Sequence, residues 1–144
     1  MDELKIEKAL ICGLSMGGYI ALNAVEKYPN RFTALILADT QCLADTPESR
    51  EKRMKAIDNI KTSGAEKYAD ASIINLFAQE SFQTRQKEVA FIRETIAKTS
   101  AETLCKTLLA LSQRKETCSR LGEIKIPVLI LVGSEDKITP IASA

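Results

Sequence analysis

The chain has 144 residues, 45% hydrophobic and 27% charged, with a formal net charge of +1 and no histidine. That length and balance predict one globular domain with a real core, and Lys and Arg interspersed with Glu and Asp leave no basic field for nucleic acid or anionic lipid. The opening Met1-Asp2-Glu3-Leu4-Lys5 has no basic, apolar leader and no later run reaches membrane-spanning length, so a cytoplasmic protein without a membrane partner is expected.

In chain order, Ala9-Leu10-Ile11-Cys12 is the first short apolar run, and two more follow at Ala34 to Ala38 and Val128 to Val132. Continuous apolarity is the pattern of strands covered on both faces, as in parallel sheets. Between the first two, Met16 to Tyr28 places Ile20, Ala21, Ala24 and Val25 on one helical face, and Pro29-Asn30 ends the helix. This is a βαβ unit, with its helix expected over one face of the sheet.

From Asp39 to Gly122 the pattern is helical. Thr46-Pro47-Glu48 is a helix start and Gly64 a stop. Further helices are predicted over about 65–77, over 86–98 with Val89, Ile92 and Ile96 inward, and from the Ser100 cap onward with Leu104, Leu108 and Leu111 as a buried stripe. The cysteines, Cys12, Cys42, Cys105 and Cys118, stand far apart without a C-x-x-C pair. They read as buried, reduced thiols, and no metal or cofactor is expected.

The stretch ALICGLSMGG carries the chemistry. Ser15 sits where a buried strand passes directly into a helix, in a turn so sharp that residues two before and two after it crowd together. Gly13 and Gly17 are expected because a side chain on either would collide, and Gly18 because the helix approaches the sheet there. The Ser15 hydroxyl then stands at the carboxyl end of the strand, with the Met16 N–H at the helix N-terminus aimed into the same space. A chance pattern is the bland alternative; a phosphate-binding turn fits poorly, because no Lys-Ser/Thr follows and the glycines miss G-x-G-x-x-G.

Gly13-Leu14-Ser15-Met16-Gly17-Gly18-Tyr19-Ile20-Ala21-Leu22 resembles the nucleophile elbow of the α/β-hydrolase fold. Ile126 to Pro140, with Gly133-Ser134-Glu135-Asp136, resembles the strand and loop that carry that family's acid. The resemblance covers nearly the whole chain. It implies an incomplete α/β-hydrolase fold with a three-stranded parallel sheet (the family's strands five, six and seven), an elbow helix and a four-helix cap insertion. The implied segments are 1–39 with the elbow, 40–121 as the cap and 122–144 with the acid, all in one domain.

By the same resemblance Ser15 is the nucleophile, Met16 supplies an oxyanion-hole N–H and Asp136 orients the base. Asp39, at the end of the second strand, is the alternative acid and Glu135 a weaker one; a turn-forming role is the plain alternative for Asp136. Tyr19, Phe77, Phe82 and Phe91 are candidates for an acyl pocket, or simply core.

The family's base is a histidine beyond the acid, and this sequence contains none. The family's early strands and second oxyanion loop have no counterpart ahead of the elbow strand. Little or no turnover is therefore expected from this chain, since a serine without a base is a weak nucleophile. Lys137 beside two acids is the wrong environment for a stand-in base. Three readings follow: a fragment of a serine hydrolase for a small ester, lactone or thioester; a noncatalytic module that self-associates through exposed strand edges or segment swapping as a homo-oligomer; and, with least support, a ligand or anion site at the elbow helix N-terminus.

Overall fold

A computed structural model describes residues 1–143; Ala144, the last residue of the expected acid-bearing segment, lies outside them. The chain forms two compact units, one of Met1–Leu43 with Lys115–Ala144 and one of Ala44–Arg114. The second unit, Ala44–Arg114, falls within the stretch 40–121.

The first unit holds a parallel sheet of β1 (Ala9–Leu14), β2 (Phe32–Ala38) and β3 (Val128–Leu131), in the order β1-β2-β3. Helix α1 (Met16–Lys27) links β1 to β2 and ends just before Pro29. Its Ala21, Leu22 and Val25 pack with Phe32, Leu35 and Leu37 of β2, joined by Ile11, Ala24, Ile124 and Ile126. Leu35 is 1% exposed, so β2 is the covered strand. Ile20, expected inward, is 60% exposed: the buried stripe of α1 runs through Gly18, Ala21, Leu22 and Val25, one position round the helix.

The expectation that all three strands are covered on both faces is corrected: even in β2 only the face of Leu35 and Leu37 is buried, while Ala34, Ile36 and Ala38 are part-exposed and Thr33 is exposed. Leu10 and Leu14 of β1, on the opposite face from the core-packed Ile11, and every residue of β3 are exposed.

The expected reduced state of all four cysteines is corrected at two of them. Cys42 and Cys118 form a disulfide with a Cα separation of 4.8 Å. The Thr117 N–H donates to the Cys42 carbonyl at 2.9 Å, which sets the two segments side by side. Cys12 and Cys105 are free, and Cys12 is exposed rather than buried.

The second unit contains α2 (Pro47–Leu76), a short α3 (Ser81–Thr84), α4 (Gln86–Lys98) and α5 (Ala101–Ser112). Thr46 caps α2 by accepting from the Ser49 N–H at 3.2 Å, and Ser100 caps α5 by accepting from the Thr103 N–H at 3.1 Å. The two helices expected on either side of Gly64 follow one another without a loop, broken only by the non-helical backbone of Gly64 at φ 84°. Ile57, Ile60 and Leu108 form the buried centre of this unit, with Tyr68, Leu104 and Cys105 against it. Asp45, with its side chain 2% exposed, pairs with Arg53 at 2.5 Å and with Arg114, which joins the two ends of the insertion.

Candidate active site

Leu14 of β1 lies beside Ala38 of β2, which lies beside Leu131 of β3. The strands are parallel, so the residues that leave these ends emerge at one carboxyl edge, where α/β sheets form their sites. Ser15, Asp39 and the loop after β3 with Asp136 are brought to that edge. Two strand spacings, roughly 10 Å, separate the exits of β1 and β3.

Ser15 is the N-cap of α1, at φ 49° and ψ −113°. For a non-glycine residue this is a strained conformation, costing on the order of 1–3 kcal/mol. Its side chain makes no capping bond to the helix, so the helix start does not consume the hydroxyl. The Ser15 N–H donates to the Ala38 carbonyl at 2.9 Å, and its carbonyl accepts from the Gly18 N–H at 2.9 Å and the Thr40 hydroxyl at 2.8 Å. Met16 is the first helical residue and is exposed; the N–H of a helix's first residue has no carbonyl one turn back to bond.

The three glycines are not equivalent. A Cβ on Gly13 would lie 2.4 Å from the Gly17 carbonyl oxygen, and one on Gly18 would lie 2.3 Å from Thr40 Oγ1. Nothing lies within 4 Å of a Cβ on Gly17. The expected collision at Gly17 is therefore corrected: the crowding is between a side chain at 13 and the backbone at 17.

Asp39 also has a positive φ, 44°. Its N–H donates to the Leu131 carbonyl at 2.9 Å and its Oδ1 accepts from the Gly133 N–H at 2.7 Å. Asp136 Oδ1 accepts from the N–H groups of Ile138 at 2.7 Å and Thr139 at 3.0 Å, and its Oδ2 from the Thr139 hydroxyl at 2.6 Å. Burial pushes the Asp136 carboxyl up, but the Thr139 hydroxyl and the Thr139 and Ile138 N–H groups outweigh it and hold it below the usual carboxylate range. These bonds favour the charged form of Asp136. Glu135 is exposed.

Thr40 and Thr139, 5% and 1% exposed, are the site neighbours that the sequence did not single out. Thr139 was findable, because Asp-x-x-Thr is a common self-bonded turn. Thr40 was not, since its partner lies 25 residues away. Among the described residues no cluster of His, Cys, Asp and Glu is placed to hold a metal ion, and no helix is long and apolar enough to cross a membrane. A groove lined by Leu22, Val25, Arg120, Leu121, Ile124 and Ile126 contains none of the candidate residues. In the helical unit Phe77 and Phe82 meet edge to face at 6.5 Å and Phe91 is exposed.

Known proteins share this architecture. The chain is 26% identical to 3-oxoadipate enol-lactonase 2 of Acinetobacter baylyi, over 99% of this chain and 52% of that protein. Its structure matches a thermophilic esterase from Thermogutta terrifontis with a TM-score of 0.92 at 30% identity, over 99% of this chain and 53% of the esterase. It also matches the enol-lactonase from Burkholderia xenovorans LB400 with a TM-score of 0.89 at 26% identity, over 99% and 54%. The chain spans about half the length of these relatives. Residues 2–144 match the family described as serine aminopeptidase, S33, and the chain accordingly belongs to that family of hydrolases, with the α/β-hydrolase fold over the part it spans.

Proposed function

We propose that this chain carries the nucleophile and the acid of a serine hydrolase for small esters, lactones or thioesters. The observation that carries the reading is Ser15: a strained residue at the strand-to-helix turn, its hydroxyl not used as a cap, at the same sheet edge as Asp136, whose hydrogen bonds favour its charged form. The esterase and enol-lactonase relatives support the substrate class.

In this reading Ser15 Oγ adds to the acyl carbon as the carbonyl π bond opens to an oxyanion, which then re-forms the carbonyl and expels the leaving group. The Met16 N–H stabilises the oxyanion, and water then hydrolyses the acyl-serine. The proton of Ser15 must go to a base, and the family's base is a histidine that this sequence lacks. The 144-residue chain alone is therefore proposed to turn over esters at a rate near background.

Fluorophosphonate labelling read by intact mass tests both parts. With imidazole supplied as an external base, one adduct is expected on the wild type and none on Ser15→Ala, with much slower labelling in its absence. Equal labelling of the two proteins, or no labelling of the wild type, would overturn the nucleophile role. Ester turnover by the wild type alone, lost in Ser15→Ala, would overturn the low activity.

A second reading, a self-associating module, draws on the two outer strands, which present Leu10, Leu14 and Val128 to Leu131 to solvent. The mass of the particle in solution tests it.

A further inference from the structure

We propose that Asp39 and Thr40, consecutive residues at the exit of the central strand, are positioning residues that hold the nucleophile turn and the acid loop in register. The inference rests on the serine hydrolase reading and adds to it the residues that set its geometry.

Four hydrogen bonds carry it. The Ala38 carbonyl takes the Ser15 N–H at 2.9 Å, and the Thr40 hydroxyl donates to the Ser15 carbonyl at 2.8 Å. The backbone N–H and carbonyl of the strained Ser15 are thereby both tied to the exit of β2, the carbonyl accepting in addition from the Gly18 N–H of its own turn. The same exit holds the opposite strand: the Asp39 N–H donates to the Leu131 carbonyl at 2.9 Å, and Asp39 Oδ1 accepts the Gly133 N–H at 2.7 Å. The Gly133 carbonyl in turn accepts the Asp136 N–H at 3.1 Å, so Asp39 is two hydrogen bonds from the acid.

The backbone supports the division of labour. Asp39 has a positive φ of 44°, and the turn it makes lets neighbouring residues serve opposite sides. Thr40 is 5% exposed and so close to Gly18 that a Cβ there would lie within 2.5 Å of its side-chain atoms. The hydroxyl is seated by packing as well as by its bond. A strained residue persists only where its surroundings over-determine it, and for Ser15 Thr40 is the side chain that does so. Asp39, read from the sequence as an alternative acid, here spends Oδ1 on the loop that bears Asp136.

The test uses the 144-residue chain with Thr40→Val, Thr40→Ser, Asp39→Ala and Asp39→Asn. By NMR, Thr40→Val is expected to move the Ser15 carbonyl carbon resonance while Thr40→Ser leaves it near its wild-type place. Asp39→Ala is expected to speed amide exchange at Gly133 about tenfold or more, the scale of one lost hydrogen bond, and Asp39→Asn to restore most of the protection. An unmoved Ser15 carbonyl in Thr40→Val, or unchanged Gly133 exchange in Asp39→Ala, overturns the proposal.

Should either variant fail to fold, the wild type decides. A scalar coupling across the hydrogen bond from Gly133 nitrogen to Asp39 Cγ, and a Thr40 hydroxyl proton protected from exchange, are expected; absence of either overturns it. Imidazole-dependent labelling of Ser15 is a separate readout, expected to fall about tenfold in Thr40→Val and to return in Thr40→Ser. A wild type that does not label sinks the hydrolase reading and leaves the NMR result on the bracket standing.

Discussion

Gly13 and Gly17 stand so close that a Cβ on Gly13 would come within 2.4 Å of the Gly17 carbonyl oxygen, yet a Cβ on Gly17 would touch nothing within 4 Å. The strand-to-helix turn therefore needs a glycine at the first position for space, while the second is open. Gly13→Ala is expected to destabilise the chain by about 1–3 kcal/mol through overpacking against backbone that has little room to move. Gly17→Ala lies inside α1 and is expected to be neutral, or to stabilise by up to about 1 kcal/mol because alanine favours helix. Thermal unfolding of the two variants checks this; equal losses would mean that both positions are crowded.

What the sequence revealed and what it hid divide by range. The run Ala9 to Cys12, the Gly13 to Gly18 turn and the caps at Thr46 and Ser100 are written in neighbouring residues, and each emerged where expected. Gly64 read correctly as a break, but not as one that lets a second helix follow at once. The Cys42–Cys118 bond and the Asp45–Arg114 pair join residues 76 and 69 positions apart, and no local pattern announces them. Ile20 misled because its neighbours fit the helical stripe equally well when the buried face is set one position round, as the tight approach at Gly18 sets it. The site divides in the same way. Ser15 and Asp136 sit in local motifs, whereas Thr40 acquires its part only when β2 pairs beside β1.

Asp45 is expected to be the costliest single charge to remove. Its side chain is 2% exposed between Arg53 and Arg114. Asp45→Asn leaves two arginines facing a neutral amide, and a loss of about 3 kcal/mol is expected, as for a buried pair broken on one side. Denaturant unfolding followed by circular dichroism measures it; a loss under about 1 kcal/mol would place the pair among surface ion pairs.

The pH dependence follows from Asp45 and Asp136 together. Burial raises the Asp45 carboxyl, but its hydrogen bonds and charge contacts with Arg53 and Arg114 outweigh that, and its folded pKa is lowered, as is that of Asp136. Both bind protons less readily folded than unfolded. The stability they contribute is complete above the ordinary carboxylate range, about pH 4, and drains away as the pH falls through their folded values. Unfolding free energies for wild type and Asp45→Asn are expected to converge as the pH drops below about 4. A difference that stays constant down to low pH would show that the ion pairs carry none of it.

The Cys42–Cys118 bond spans 76 positions and closes the stretch of chain that includes the whole helical insertion. Closing a loop of that size restricts the unfolded chain by about 4 kcal/mol in the chain-entropy account. Treatment with a dithiol, which takes up two electrons' worth of oxidation as the two cysteines become thiols, is expected to lower the unfolding temperature while the sheet is retained. The Thr117 to Cys42 backbone bond needs no disulfide to form. Cys42→Ser with Cys118→Ser should match the reduced protein, and an unfolding temperature indifferent to reductant would mean that the pairing adds no stability.

The outer strands make a prediction about association. Leu129 and Ile130 of β3 are 51% and 53% exposed and Leu10 of β1 is 53% exposed, on strands that are outermost in the sheet among the described residues. An apolar, unblocked edge is a template for another strand, and lysine is the residue that most simply blocks one. Sedimentation over a range of concentrations is expected to give a mass above that of one 15.8 kDa chain, rising with concentration. Leu10→Lys combined with Leu129→Lys, which charges both outer strands without touching the buried face of β2, is expected to return the particle to a single chain with its circular dichroism preserved. A wild type that stays at the mass of one chain at every concentration would rule the association out, and an oligomer that survives both lysines would place its contact away from the sheet edges.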